Sequence, residues 1–255
     1  MKMNKIGKYP FLAEPFRCGI MGNLLYSHLG NYMLNAADYQ ATERKFGYLD
    51  LRKDNKAWVL SRFVIEMMDM PKSYDKFFIS TWVESTMKYF THRNWQVEDE
   101  DGKVVGYGSG MWAMIDLNTR QPADISSVGD GVVDSYADPE HTIPIAPPSR
   151  VRLDEKGAQL IREIGVTYSD LDVNGHVNSV RYIEHAVDLF PVEWYMKKVI
   201  SRLEVAYVAE AHYGEKLRFY QDEQSADVHC FKITSLSTSG EEKEVVRVKF
   251  VFTDL

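Results

Sequence analysis

This 255-residue sequence has only two cysteines, no long apolar run and no net positive charge. The two cysteines, Cys18 and Cys230, lie far apart and outside any metal-binding spacing, which argues against a disulfide scaffold and fits a reducing compartment. We expect both to be packed thiols. No apolar run approaches the length of a membrane span, and no long apolar segment follows the lysine-containing start of the chain. The sequence therefore predicts a soluble, cytoplasmic protein without a membrane partner.

The charge balance argues against a second class of partner. The formal net charge is -7 and no basic stripe runs along the sequence, so we expect no nucleic acid or acidic membrane surface as partner. Hydrophobic residues make up 45% of the chain and charged residues 26%, which is typical of a globular protein. The length allows one large domain or two of ordinary size.

The first half of the sequence predicts one long helix followed by several long strands. Residues 24–46 have the apolar spacing of a helix, and later segments are rich in β-branched and aromatic residues. Three glycines in the last strand indicate a bend or a close approach of the backbone over a packed helix. The predicted strands are 14–21, 58–68, 76–84, 87–98 and 103–116, with a hairpin at 99–102; the glycines are Gly106, Gly108 and Gly110; the helix face is Leu29, Tyr32, Met33, Ala36, Ala37 and Gln40.

The second half repeats this order. Short sequence matches recur in the same order at an offset of 140, such as Ser61-Arg62 with Ser201-Arg202 (201 − 61), which argues for duplication. We therefore predict an α+β architecture of two tandem units, each with a helix on an antiparallel sheet. The predicted domains are 1–128 and 151–255, joined by a proline-containing linker at 129–150; the second helix is 177–190 and the second set of strands is 165–169, 199–209, 215–221, 228–235 and 244–253.

One stretch concentrates groups that can accept, donate and orient protons. Asp172, Asn174 and His176 surround Gly175 between a β-like run and the second helix. Such residues also form ordinary turns, so composition alone favours a loop. The first half, however, has no Asp-x-Asn-x-His string before its helix, and this asymmetry favours function over a structural requirement of the turn.

The stretch Asp172-Val173-Asn174-Gly175-His176-Val177-Asn178, continuing through Arg181-Tyr182, resembles the signature of the acyl-acyl carrier protein thioesterases. The resemblance covers nearly the whole chain and implies a tandem, or double, hotdog fold. It also implies hydrolysis of acyl-acyl carrier protein thioesters, which ends fatty acid synthesis, with the acyl chain held by the N-terminal half. In the first half it rests on Trp58-Val59, Trp82-Val83, Arg93-Asn94-Trp95, Trp112 and Asp116-Leu117-Asn118-Thr119-Arg120.

The resemblance also implies the catalytic residues, which are Asp172, Asn174, His176 and Glu210. Plant members commonly place a cysteine directly after that glutamate, but this chain has Ala211, which excludes a thiol nucleophile at that position. We expect water attack, with Glu210 as base or water-positioner and His176 as polariser or proton shuttle. Direct attack by Glu210 to form an anhydride stays open. We also expect Gly175 to permit a close backbone approach, and the first N–H groups of the following helix to bind the oxyanion.

Other residues are candidates for binding the substrate and the carrier protein. Substrate-binding candidates are Met111, Trp112 and Met114, and carrier-protein docking candidates are Lys197, Lys198 and Arg202, with Arg150 and Arg152 as a second basic pair. The partner is acyl carrier protein with its phosphopantetheine-linked acyl chain, and the protein is expected to be a monomer or homodimer.

Asp170 and Asn178 are expected to be turn or helix-cap groups. No cofactor or metal is expected, because His28, His92, His141, His185, His212 and His229 have no metal-binding spacing.

Other activities are compatible with the same residues. An acyl-coenzyme A thioesterase would use the same chemistry on another carrier. A hydratase or dehydratase would add water reversibly without releasing a thiol. A non-catalytic acyl-binding protein with the double hotdog fold would bind acyl chains without turnover.

Overall fold

The computed structural model describes residues 4–154 and 156–255. The chain divides into two compact units, of which the first ends at Pro147 and the second begins at Pro148. Among the described residues, no helix is both long enough and apolar enough to cross a membrane.

The first unit packs its long helix on an antiparallel sheet. The elements are β1 (Gly7–Leu12), α1 (Tyr26–Glu43), α2 (Tyr48–Lys53), β2 (Lys56–Met67), β3 (Lys76–Thr86), β4 (Phe90–Asp99), β5 (Val104–Asp116) and α3 (Val132–Ser135). The strands have the order β1-β3-β4-β5-β2, and the two longest paired strands are β2 and β5. The predicted strands after the helix are thereby confirmed to within a few residues.

The helix α1 buries the face that its sequence predicts. All six predicted residues of that face are buried, including Met33 and Ala36, which are fully inaccessible. The polar member, Gln40, is satisfied because its amide donates to the carbonyl oxygens of Lys5 and Thr81, each at 2.7 Å. The helix therefore covers the sheet through one apolar stripe with a single hydrogen-bonded amide at its end.

A glycine of β5 explains how closely α1 lies on the sheet. A Cβ atom at Gly108 would lie 3.1 Å from Met33 Sδ and 3.2 Å from the Val64 carbonyl oxygen. The predicted close approach over a packed helix is thus confirmed at this position, since a Cβ atom there would be closer to Met33 and Val64 than ordinary van der Waals contact allows.

We expect Gly108→Val to lower the free energy of unfolding by about 1–3 kcal/mol, because the added methyl groups overpack the contact with Met33. Thermal unfolding followed by circular dichroism measures this change. Gly165→Ala is the matched control, since a Cβ at Gly165 meets nothing within 4 Å. A Gly108→Val variant as stable as the control would contradict the packing argument.

The second unit repeats the arrangement with a shorter helix. The elements are β6 (Gln159–Gly165), α4 (Ser179–Val187), α5 (Val192–Tyr195), β7 (Lys198–Tyr207), β8 (Lys216–Ser225), β9 (Val228–Leu236) and β10 (Glu242–Asp254). The strands have the order β7-β10-β9-β8-β6, all antiparallel. Phe190, just after α4, packs its ring against Phe231, Phe250 and Phe252 at centroid distances of 4.9–5.7 Å.

Strand register confirms the internal repeat. In the first unit Met67 pairs with Gly106, and in the second Tyr207 pairs with Val246, so both partners are shifted by 140 positions (207 − 67 and 246 − 106). The offset found in the sequence is therefore the offset of the folded sheets.

Two predicted short strands are wrong in the same way. Residues 15–17 and 168–170 form 3-10 turns, and the strands lie earlier, at Gly7–Leu12 and Gln159–Gly165. Pro15 has no N–H for strand pairing and sits at the start of its turn. In the second unit, Thr167 and Asp170 form a capping box around the turn.

The segment interpreted as a linker contains structure of its own. Residues 132–135 form α3, and Val133 is fully buried in a cluster with Phe46, Leu51 and Met114 of the first unit. Residues 129–147 thus belong to the first compact unit, and the chain passes to the second at Pro147 and Pro148. Both cysteines are free thiols, and Cys230 is fully buried beside Val151 and Ala206.

Candidate active site

The polar loop, defined as residues 171–177, is closed by its own backbone and by one carboxylate. Leu171 and Val177 form an isolated β-bridge, and the Asp172 N–H donates to the His176 carbonyl oxygen at 2.8 Å. Asp172 Oδ1 accepts the backbone N–H groups of Asn174 at 2.8 Å and His176 at 3.2 Å. Its other oxygen lies 3.4 Å from Asn174 Nδ2. Asp172 therefore holds both neighbouring polar residues in place.

Gly175 serves this loop by its backbone conformation. Its φ angle is +80°, a left-handed value that side chains other than hydrogen disfavour. A Cβ there would meet nothing within 4 Å. The left-handed turn is itself a reason for glycine at this position, and the expected close backbone approach stays a prediction.

Glu210 reaches the polar loop from the connection between β7 and β8. Its Oε1 lies 3.4 Å from His176 Nδ1, and the two side chains are 33% and 23% exposed. The connection is attached to the loop, because the Val177 N–H donates to the Ala211 carbonyl oxygen at 2.9 Å. A carboxylate and an imidazole are thus adjacent and partly open to solvent, as proton transfer to a substrate requires.

His212 joins this pair, although its spacing in the sequence indicated no such site. Its ring stands perpendicular to that of His176 with the centroids 5.1 Å apart, and the two residues form an isolated β-bridge. Its Nδ1 lies 3.6 Å from Glu215 Oε1. The signal in the sequence was the spacing of Glu210 and His212, since alternate residues of an extended segment face the same side.

A buried carboxylate anchors the polar loop to α4. Asp170 is 2% exposed and accepts hydrogen bonds from the Thr167 N–H at 2.8 Å, from Arg181 Nε at 3.1 Å and from the His185 ring at 2.9 Å. Burial by itself raises the pKa of Asp170, but the hydrogen bonds from Thr167, His185 and Arg181 outweigh it and lower that pKa from 3.8 to about 2. Its expected role as a turn group is confirmed.

We expect Asp170→Asn to lower the free energy of unfolding by about 3 kcal/mol at pH 7, because it removes the buried charge that accepts hydrogen bonds from Thr167, Arg181 and His185. The folded pKa is below the ordinary value of 3.8. The stabilisation is therefore complete above about pH 4 and is lost as the pH falls towards 2. Urea unfolding at pH 7 and pH 3 measures both effects. The exposed Asp188 provides the control, since Asp188→Asn should change stability by less than about 0.5 kcal/mol; equal effects at the two positions would contradict the anchor.

Three backbone N–H groups at the start of α4 are already in use. Those of Val177 and Asn178 donate to the carbonyl oxygens of Ala211 and Asp170, and that of Val180 donates to Asn178 Oδ1 at 3.1 Å. Asn178 is thus the N-cap, as expected. These three groups cannot also bind an oxyanion. The N–H of Ser179 stays a candidate donor, beside the side chains of Asn174 and His176.

The first unit contains the same loop backbone without the Asp, Asn and His side chains of the second. Cys18 and Leu24 form the bridge, Gly22 has a φ angle of +78°, and the Gly19 N–H donates to the Asn23 carbonyl oxygen at 2.9 Å. Gly19, Met21 and Asn23 occupy the positions of Asp172, Asn174 and His176. The bridge between Asn23 and Lys72 matches that between His176 and His212, which puts Met70 opposite Glu210.

The substrate-binding candidates do not share one surface. Met111 and Trp112 are neighbours on β5 and therefore face opposite sides of the sheet. Met114 is fully buried in the core cluster with Ala41 and Phe46. Their role in binding an acyl chain stays a prediction.

The docking candidates are largely neutralised by carboxylates. Lys198 binds Asp227 and, at 3.0 Å, Asp254, while Arg202 Nε lies 3.0 Å from Glu204 Oε1. Lys197 is exposed, as are Arg150 and Arg152. Their part in carrier-protein docking also stays a prediction.

Two units of this architecture in one chain define a double hotdog protein. Residues 14–136 match the acyl-ACP thioesterase N-terminal domain, and residues 153–252 match the C-terminal domain of the same family. The chain belongs to the acyl-ACP thioesterase family, which confirms the resemblance seen in the sequence.

Individual relatives agree with this family. The crystal structure of an acyl-ACP thioesterase from Bacteroides thetaiotaomicron is 45% identical, covers 98% of both chains and has a TM-score of 0.88. The oleoyl-acyl carrier protein thioesterase 2 of Arabidopsis thaliana is 26% identical over 94% of this chain, and the palmitoyl-acyl carrier protein thioesterase of the same plant is 30% identical over 63%. The chain spans 64% of the length of the first plant protein and 40% of the second.

Proposed function

We propose that the protein hydrolyses acyl-acyl carrier protein thioesters to free fatty acid and carrier-protein thiol, ending fatty acid synthesis. The observation that carries the proposal is the contrast between the two loops. The same left-handed loop forms in both units, so the turn itself does not require Asp172, Asn174 and His176. Only in the second unit does a carboxylate, Glu210, lie against a loop imidazole. The family assignment supports thioester hydrolysis as the reaction of this site.

The chemistry requires a base, an oxyanion donor and a proton for the leaving thiolate. Glu210 takes a proton from water while the water oxygen bonds to the thioester carbonyl carbon. The developing oxyanion accepts hydrogen bonds from the Asn174 amide and the His176 ring. The carbon–sulfur bond then breaks, and the thiolate receives the proton that Glu210 took, directly or through His176. Asp172 does not touch the substrate in this scheme; it positions Asn174 and His176.

Neither thiol of the chain is needed for this route. Ala211 occupies the position after Glu210 and is fully buried. Burial raises the pKa of Cys230 to about 11, which keeps it a protonated thiol at neutral pH. The scheme therefore assigns the reaction to water, with a Glu210 anhydride as the alternative covalent route.

The proposed partner is acyl carrier protein with its phosphopantetheine-linked acyl chain. The first unit holds the acyl chain in this proposal, through Met111, Trp112 and Met114.

The experiment that tests the function is thiol release from acyl-acyl carrier protein and acyl-coenzyme A substrates of matched chain length. We expect a higher kcat/KM for the carrier-protein substrates. A preference for coenzyme A would replace the proposed substrate, acyl binding without thiol release would favour a non-catalytic protein, and reversible water addition would favour a hydratase.

A further inference from the structure

We propose that His176, Glu210 and His212 form a binding site for Zn²⁺ or a similar divalent transition metal, and that metal bound there inhibits the enzyme. The inhibition rests on the function proposed above, whereas the binding does not. No metal is predicted from the sequence, because His176 and His212 are 36 positions apart (212 − 176). The fold brings their ring nitrogens and the Glu210 carboxylate within 4.8 Å of one another.

The distances suit a tetrahedral ion. Two ligand atoms bound to one Zn²⁺ at about 2.0–2.1 Å lie roughly 3.3 Å apart when the angle at the metal is tetrahedral. His176 Nδ1 and Glu210 Oε1 are 3.4 Å apart, which matches this separation. Two imidazoles and one carboxylate are also a ligand set that Zn²⁺ accepts, with a fourth position left for water.

A backbone β-bridge holds His176 and His212 opposite each other. The adjacent hydrogen bond from Val177 to Ala211 fixes the strand that carries Glu210. The site is therefore largely formed before an ion arrives, which lowers the conformational cost of binding.

His212 is the ligand that must move, and its surroundings allow this. Its side chain is 47% exposed, so a rotation about its side-chain bonds can close the remaining gap. Glu215 lies 3.6 Å from His212 Nδ1 and is itself bound by the Ser235 hydroxyl group. In the metal-bound form Glu215 would accept the Nδ1 proton of His212, which leaves Nε2 for the ion and orients the ring.

The first unit shows that the fold does not demand these three ligands. Its matching positions are Asn23, Met70 and Lys72, and none of these side chains is an imidazole or a carboxylate. The ligand set is therefore particular to the second unit, where the active site is also proposed.

Metal binding and the proposed catalysis compete for the same lone pairs. An ion bound to His176 Nδ1 and Glu210 Oε1 would occupy the carboxylate that should deprotonate water, and it would fix the imidazole that should polarise the thioester. The expected effect is reversible inhibition that a chelator relieves.

The test measures zinc binding and turnover on the full chain, with zinc chloride as the probe and Cys18→Ala as the background to remove the more accessible thiol. We expect one Zn²⁺ per chain by isothermal titration calorimetry and loss of thiol release in the same concentration range. In His212→Gln the zinc concentration for half-saturation and for half-inhibition should rise at least about tenfold. His92→Gln, a partly buried histidine on β4, is the matched control and should leave both concentrations unchanged.

Zinc binding that is absent, or equally strong in His212→Gln, would overturn the metal site whatever the activity. Activation by zinc would overturn the inhibitory role. A protein that binds one Zn²⁺ through His212 but releases no thiol without metal would support the metal site and refute the proposed hydrolysis instead.

Discussion

We expect Glu210→Gln to lower kcat for acyl-acyl carrier protein by about 10²–10⁴-fold, with a much smaller change in KM. Glutamine keeps the shape and the hydrogen-bonding reach of the side chain but cannot take a proton from water, and general-base catalysis contributes an effect of this size. Steady-state thiol release measures it. The exposed Glu223 on β8 offers a matched change, since Glu223→Gln removes a carboxylate of the same unit away from the loop and should leave kcat unaltered.

The same variant separates the two routes open to Glu210. Mass spectrometry of wild-type protein quenched in acid during turnover should show no acyl group on the chain if water attacks directly. An acyl adduct that disappears in Glu210→Gln would instead establish the anhydride route. Retention of a normal kcat in Glu210→Gln would remove this residue from both schemes.

We expect His176→Ala to lower kcat by about 10²–10³-fold, which is the usual cost of losing one oxyanion donor. The loop should keep its fold, because Asp172 binds the backbone N–H of residue 176 and not its ring. Circular dichroism and thermal unfolding should therefore match the wild type. His92→Ala, measured in parallel, controls for the loss of an imidazole elsewhere; a similar loss of kcat in both variants would contradict the assignment.

We also expect the effects of Glu210→Gln and His176→Ala on kcat to be non-additive. If Glu210 and His176 act on one transition state, the double variant should be close to the slower single variant rather than slower by the product of both effects. A double variant slowed by that full product would mean that the two side chains act in separate steps.

The regular elements were predictable because their patterns are local. The buried face of α1 follows from helical spacing, and the strands and the hairpin at 99–102 follow from their composition. The predicted strands 14–21 and 165–169 were misplaced because 3-10 turns begin there, at Pro15 and just after Thr167, among apolar residues of the sequence. There a local hydrogen-bonded turn, which a strand pattern does not reveal, determines the backbone.

The candidate site was predictable as a set of residue types but not as a geometry. The string from Asp172 to His176 is continuous in sequence, so its chemistry could be inferred directly. The contact of Glu210 with His176 needed the resemblance to a family, and the place of His212 needed the bridge between two distant segments. The pairing of Lys198 with Asp227 and Asp254 likewise depends on segments that the sequence does not show to be neighbours, whereas Arg202 pairs with Glu204 two residues along the same strand.

Because the fold is repeated, the difference in side chains between the two loops is informative. Gly22 and Gly175 have the same left-handed backbone, so both units place glycine at this position of the turn. The polar side chains of the second loop are therefore available for chemistry, and Asp172 uses two backbone N–H groups to hold them.

Release of carrier-protein thiol should be measured for the purified wild-type protein and for the Glu210→Gln/His176→Ala double variant. We expect the wild type to release equal amounts of thiol and free fatty acid from acyl-acyl carrier protein, at a rate at least about 10²-fold above that of the double variant. No thiol release by the wild type, or equal release by both proteins, would show that Glu210 and His176 do not catalyse this hydrolysis.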